Sequence, residues 1–231
     1  MGASHPQTNQ EITPEIQKAY DKAKIALMAK PDTAFFTTIV FSLKLLWDWI
    51  RPTAATDGTA IWVNPEFFMS LQPDERVFLL VHEAMHVALL HMLRLGDRDH
   101  KKWNIACDHY INLLLIERGF KMPRNGLADP QYKGLSADEI YALLPDPPPN
   151  DPFQMDLEPS TEPSTDLQEA VEEILIRAAM QSKMQNDTPG TIPGDIEIFL
   201  NKLLDPKLPW QRILQKYIQN LSKHDYSWRK P

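Results

Sequence analysis

The chain has 231 residues, 43% apolar, 24% charged and 9% aromatic, which suffices for one domain with a real core, or one domain plus a helical extension. Its 24 basic and 31 acidic residues give a formal charge of -7, the wrong sign for a general nucleic-acid or anionic-membrane binder. A single cysteine, Cys107, excludes an intrachain disulfide and a multi-cysteine metal knuckle, and with no leader-like or membrane-spanning apolar run the expectation is a soluble, cytoplasmic protein.

After a start, "MGASHPQ", that carries no fold signal, "EITPEIQKAYDKAKIALMAK" reads as a first helix, with Thr13 at the N-cap and Pro14 at the first helical position. The first half of "TAFFTTIVFSLKLLWDWI" is rich in aromatic and β-branched residues and favours a strand, while its second half could be helical. Asp57-Gly58 is a hairpin signal, and a short apolar strand from Thr59 to Val63 follows. A long helix is then predicted from about Pro73 to about Leu95, with Ser70 or Gln72 before it, Asp74 and Glu75 at its positive end and Gly96 just past its end. "KKWNIACDHYINLLLIERG" reads as a second long helix stopped at Gly119. In "LSADEIYALL", Ser136 and Glu139 stand in capping-box register and predict a short helix.

From Pro145 to Pro163 the chain is rich in proline and acid, the composition of an extended linker or flap rather than a packed core. Helices are expected beyond it over about Ser164–Asn186, Ile196–Leu204 and Trp210–Leu221. The division that follows is a metallopeptidase-like core over 1–144, a linker or flap over 145–166, and a helical extension over 167–231 that packs on the core.

The chemistry concentrates in "VHEAMHVALLH", residues 81–91. On a helix His82 and His86 lie about 40° apart and one turn along the axis, so both imidazoles can reach one metal ion. Glu83 lies about 60° beyond His86, near enough to hold water at that ion but badly placed to ligate it. Two ligands and a general base on one helix is the zincin arrangement. A catalytic zinc site needs a third protein ligand and an open position. His91 falls about 180° from His82 and is expected on the opposite face; positions 89 and 92, Leu89 and Met92, lack the glycine and third histidine of a metzincin. Asp108 shares an inward helix face with Ile105, Ile111 and Leu115, where a carboxylate is costly unless a cation compensates it. It is the preferred third ligand, with Asn104 and Asn112 one turn either side as groups that could orient it and His109 as the reserve. Two imidazoles and a carboxylate suit one zinc ion (Zn2+), though other divalent metals accept the same donors.

Several separated blocks, "TAATDGTAIWVNPEF", "VHEAMHVALLHMLR", "WNIACDHYINLLLIERGFKMP", "GLSADEIYALL" and the closing "DYSWRKP", resemble the N-terminal metallopeptidase domain of bacterial and phage proteins that carry a C-terminal VWA-like domain. The resemblance implies metal ligands His82 and His86, Glu83 as general base or acid, and a motif aspartate at Asp108. By analogy alone it also implies a MoxR-type AAA ATPase as a partner. It implies a VWA-like domain after "DYSW", where this sequence ends.

The expected fold is α+β and predominantly helical, zincin-like, with a small β-hairpin or sheet beside an active-site helix. The expected function is a zinc-dependent peptidase acting on peptide or protein substrates, with the strand from Thr59 to Val63 taking an extended substrate by strand addition. The alternative is a metal-bound scaffold that works with an AAA ATPase or another protein without turning over peptide bonds; retention of Glu83 favours catalysis, since a scaffold needs the ligands but not the base.

Overall fold

The computed structural model describes residues 11–124, 126–146, 157 and 164–204. The chain divides into two compact units, Met1–Pro193 and Gly194–Pro231; of the second, helix Gly194–Leu204 is described. The helix expected over Trp210–Leu221, the closing block and all of the acidic segment except its first two residues and Leu157 lie outside the described residues.

In the first unit, helix α1 (Pro14–Ala29) begins as expected: the Thr13 hydroxyl accepts from the Ile16 N–H and Pro14 fills the first position. Its buried stripe of Ile16, Ala19, Ala23 and Leu27 packs on α4. The next segment reverses its expected halves. Ala34–Ser42 is helix α2, and the strand, β1, comes after it at Lys44–Trp47. The β-branched residues of α2 are overridden by burial: Phe35, Phe36, Ile39 and Val40 are enclosed by α1, α4 and α8, and a helix apolar on nearly every side is stable where it is covered on nearly every side.

Strands β2 (Ala54–Thr56) and β3 (Ala60–Val63) form the hairpin that Asp57-Gly58 signals. Asp57 Oδ1 accepts from the N–H groups of Thr59 and Ala60, and Gly58 takes φ +97°, which glycine adopts without the Cβ penalty. β3 pairs antiparallel with β2 and parallel with β1, so the sheet order is β1-β3-β2. The strand from Thr59 to Val63 is therefore central, with both edges occupied, and it cannot accept a substrate strand. β1 and β2 are the edge strands, and Leu157 bridges the outer side of β2 at Thr56.

Helix α3 (Pro65–Ser70) leads into α4 (Pro73–Ala88), whose start is fixed by Gln72 N–H donating to the Glu75 carboxylate. α4 stops at Ala88, seven residues short of the expected Leu95, because Leu90 adopts the left-handed conformation at φ 54°, ψ 34°. The chain restarts as the single-turn helix α5 (His91–Arg94). Helix α6 (His100–Glu117) is capped by Asp99, which accepts from the Lys102 N–H, and ends before Gly119. After a 3-10 turn at Pro130–Tyr132, helix α7 (Ala137–Leu143) opens on the Ser136/Glu139 capping box. Helix α8 (Ser164–Met184) lays Leu167, Val171 and Leu175 in the core and packs on α2. The architecture is α+β, mostly helical, with one three-stranded sheet. None of the described helices is long and apolar enough to cross a membrane.

In the second unit, α9 (Gly194–Leu204) presents Ile196 and Leu200, four residues apart on one face, as buried residues.

Candidate metal centre

Helix α4 crosses α6, and at their contact the chain brings together His82, His86 and Asp108, all buried. His82 Nε2 and His86 Nε2 are 3.1 Å apart, and Asp108 Oδ1 lies 3.3 Å from His86 Nε2 and 3.7 Å from His82 Nε2. Donors about 2.0–2.1 Å from a tetrahedral ion stand about 3.3–3.4 Å from one another, so this triangle has the size that one small divalent ion requires. The donor set of two imidazoles and one carboxylate has the chemistry as well.

Hydrogen bonds outside the triangle aim the rings. His82 Nδ1 lies 2.8 Å from Asn112 Oδ1, while Asn112 Nδ2 donates to Leu127 O at 2.9 Å. The second bond orients the amide with its oxygen toward His82; an oxygen there can only accept, so the His82 proton sits on Nδ1 and its Nε2 keeps a lone pair for a metal. Asn112, expected beside Asp108, thus stands on His82. Asn104 does reach Asp108, donating from Nδ2 to Oδ1 at 3.2 Å. Its own Oδ1 accepts from the Leu157 N–H at 2.9 Å, so the carboxylate's partner is fixed from the other side.

His109, one residue on, is engaged elsewhere. Its Nδ1 accepts from the Asp129 N–H at 3.2 Å, and its ring meets Tyr132 edge to face at 4.9 Å. Burial lowers its pKa, the Asp129 charge acting in the opposite direction. Tyr110 packs with Ala106, Tyr132 and Ile140, a cluster apart from the metal triangle.

The expectation for His91 is overturned. An unbroken helix would carry it to the far face, but the left-handed turn at Leu90 returns it to His86, Nδ1 to Nδ1 at 3.2 Å, with the rings edge to face. Trp103 of α6 holds it there, donating from Nε1 to His91 O at 2.9 Å and meeting the ring edge to face. Burial first, then the neighbouring His86, Arg94 and His82, depress the His91 pKa well below its ordinary value, so the ring is neutral. Nothing in "HVALLHMLRLG" announces this turn: it lacks the glycine that usually marks a left-handed residue before Gly96.

Through His82 and Asp108 the triangle opens onto a cavity of about 1320 Å³ lined also by Thr53 and Ala54 at the start of β2, by Glu83, and by residues 121–124, 126 and 127. Glu83 is buried and lines this cavity with His82 and Asp108. The opening is large enough for several residues of a peptide.

Residues 16–231, nearly the whole chain, match the model of a family described as "Putative metallopeptidase domain". No curated protein and no solved structure matches.

Proposed function

The chain belongs to this metallopeptidase-domain family, and from that premise we propose that it is a zinc-dependent, zincin-like peptidase with His82, His86 and Asp108 as the ligands and Glu83 as the general base. The observation that carries the reading is the triangle of Nε2, Nε2 and Oδ1 atoms at the wall of a peptide-sized cavity, with a buried glutamate next to it in sequence and lining the same cavity. When bound, the ion supplies Lewis-acid chemistry, acidifying water and polarising a carbonyl.

The chain's own groups do the rest. Asn112 and Asn104 hold one imidazole and the carboxylate in their ligating orientations. The Glu83 carboxylate takes the proton of the attacking water and delivers it to the leaving amine. The start of β2, with Thr53 and Ala54 at the cavity, is the place for an extended peptide to add as a strand, since β3 is enclosed and Leu157 already bridges Thr56 at the other end of β2. An AAA ATPase as partner accompanies the reading by family analogy alone, and the single Cys107 suits a reducing, cytoplasmic setting.

The test is peptide hydrolysis by the zinc-loaded parent and by Glu83→Gln, with metal content measured on both. Equal metal content and a loss of turnover of about 10²–10⁴-fold in the variant is the expected result. Metal bound by both proteins with no turnover in either, across a diverse peptide pool, would leave the scaffold reading in its place.

A further inference from the structure

His91 is absorbed neither by the ligand triangle nor by the general base, and its placement is expensive. Residues 86 and 91 on a continuous helix stand about 140° apart and cannot touch. They touch here because Leu90 takes a left-handed conformation, which a residue with a Cβ adopts only against a steric penalty. The imidazole so placed is fully buried, and no described residue lies within hydrogen-bonding distance of its Nε2. An aromatic hydrocarbon would fill the same space against Trp103 without leaving a buried polar atom unsatisfied. What histidine offers there, and phenylalanine does not, is the Nδ1 lone pair 3.2 Å from His86 Nδ1.

Two facing Nδ1 atoms can share one proton, and its owner decides what the other end of His86 can do. If His91 donated, the His86 proton would sit on Nε2, the atom 3.1 Å from His82 Nε2 and 3.3 Å from Asp108 Oδ1, and no metal could be ligated there. If His86 donates, its Nε2 presents a lone pair to the centre of the triangle, and His91 keeps its own proton on Nε2.

We propose that His91 is a positioning residue: in the metal-bound chain it accepts a hydrogen bond from His86 Nδ1 and so holds that ring with Nε2 aimed into the triangle. His82 is set by Asn112 in the same way, but from a different element, so the two ligands of α4 are aimed independently. Trp103 is the brace of this device, since it holds both the backbone and the ring of His91. The left-handed Leu90 is the feature that makes the contact geometrically possible.

The proposal rests on the metal-site reading, and two measurements on the full chain keep the two apart. Long-range ¹H–¹⁵N correlation on the zinc-loaded, ¹⁵N-labelled parent reads the hydrogen bond directly, with no variant required; a His86 Nδ1–H protected from solvent exchange is expected, and an Nδ1 proton on His91 instead would overturn the proposal. Chelator competition with zinc alone then compares the parent with His91→Phe, which keeps the ring but loses the acceptor, and with His91→Asn, which places an amide oxygen near the former Nδ1. The expectation is zinc affinity lower by roughly 10–100-fold in His91→Phe, with recovery of most of the loss in His91→Asn. A folded His91→Phe that binds zinc as the parent does would also overturn it. A parent that binds no zinc would sink the metal reading instead, a result distinct from a zinc-binding parent in which His91 carries the Nδ1 proton.

Discussion

Asn112 on α6 meets His82 on α4 at 2.8 Å, Oδ1 to Nδ1, across thirty residues of sequence. The contact ties a candidate ligand to the segment after α6, because the same amide donates to Leu127 O. Asn112→Ala should therefore weaken zinc binding by about 10–100-fold. It should also lower metal-free stability by about 1–3 kcal/mol, the cost of leaving buried partners unmet. Zinc competition and urea unfolding of the same preparations check both numbers; unchanged zinc affinity beside reduced stability would reduce Asn112 to a structural tie.

Asp108 makes the opposite pairing of effects. As a ligand it should be indispensable, and Asp108→Ala should lose more than about 100-fold in zinc affinity, beyond what removing an orienting group costs. Its buried charge is costly in the metal-free fold but accepts from Asn104 and faces His82 and His86, so the two effects oppose and the variant's metal-free stability should stay within about 2 kcal/mol of the parent. A variant that unfolds more easily yet binds zinc like the parent would mark Asp108 as a structural acid. His109 is then a poor substitute, since its Nδ1 and ring are committed to Asp129 and Tyr132.

Helical periodicity on its own brings His82, His86 and Asp108 to inward faces, because a face is a local property and 100° per residue governs it. The capping box at Ser136/Glu139 and the Asp57-Gly58 turn are local as well, and they are legible for the same reason. What sequence reading misses is set by tertiary packing. Ala34–Ser42 is helical despite its β-branched residues because three helices bury it. Thr59–Val63 is central rather than an edge because β1 arrives parallel from the other side. Asn112 turns to His82 because of where Leu127 O lies, and no spacing within α6 encodes that. His91 is the largest miss: a left-handed leucine in an otherwise helical string has no composition signal, and the site's least expected neighbour depends on it.

Leu90 allows that strain to be measured. Glycine relieves the left-handed penalty, and the Leu90 side chain is only partly buried, so Leu90→Gly should leave stability within about 1 kcal/mol of the parent or raise it. Leu89, buried and with negative φ, receives no such relief, and Leu89→Gly should cost about 3 kcal/mol or more. Urea unfolding of the two variants side by side is decisive: equal losses would mean that residue 90 is not left-handed in solution.

His109 gives the fold a pH dependence of definite sign. Burial lowers its pKa in the folded chain, against the pull of Asp129, whereas the unfolded histidine titrates near 6.5. Below about pH 6.5 the unfolded chain therefore binds more protons than the folded one, and stability falls as pH falls. The His109 contribution is fully present above about 6.5 and is lost as pH drops from there through the folded value, by at most about 1.4 kcal/mol per pH unit. The structural reason is explicit: a proton on Nδ1 would face the Asp129 N–H that Nδ1 now accepts, setting donor against donor. His109→Phe keeps the edge-to-face contact with Tyr132 but has nothing to titrate. Metal-free urea unfolding at pH 7.5 and 5.5 should show the variant less stable than the parent at the higher pH, through the unmet Asp129 N–H, and losing less than the parent on acidification. Parallel losses in the two proteins would place the acid-sensitive group elsewhere, with His91, also buried and held below its ordinary pKa, as the next to replace.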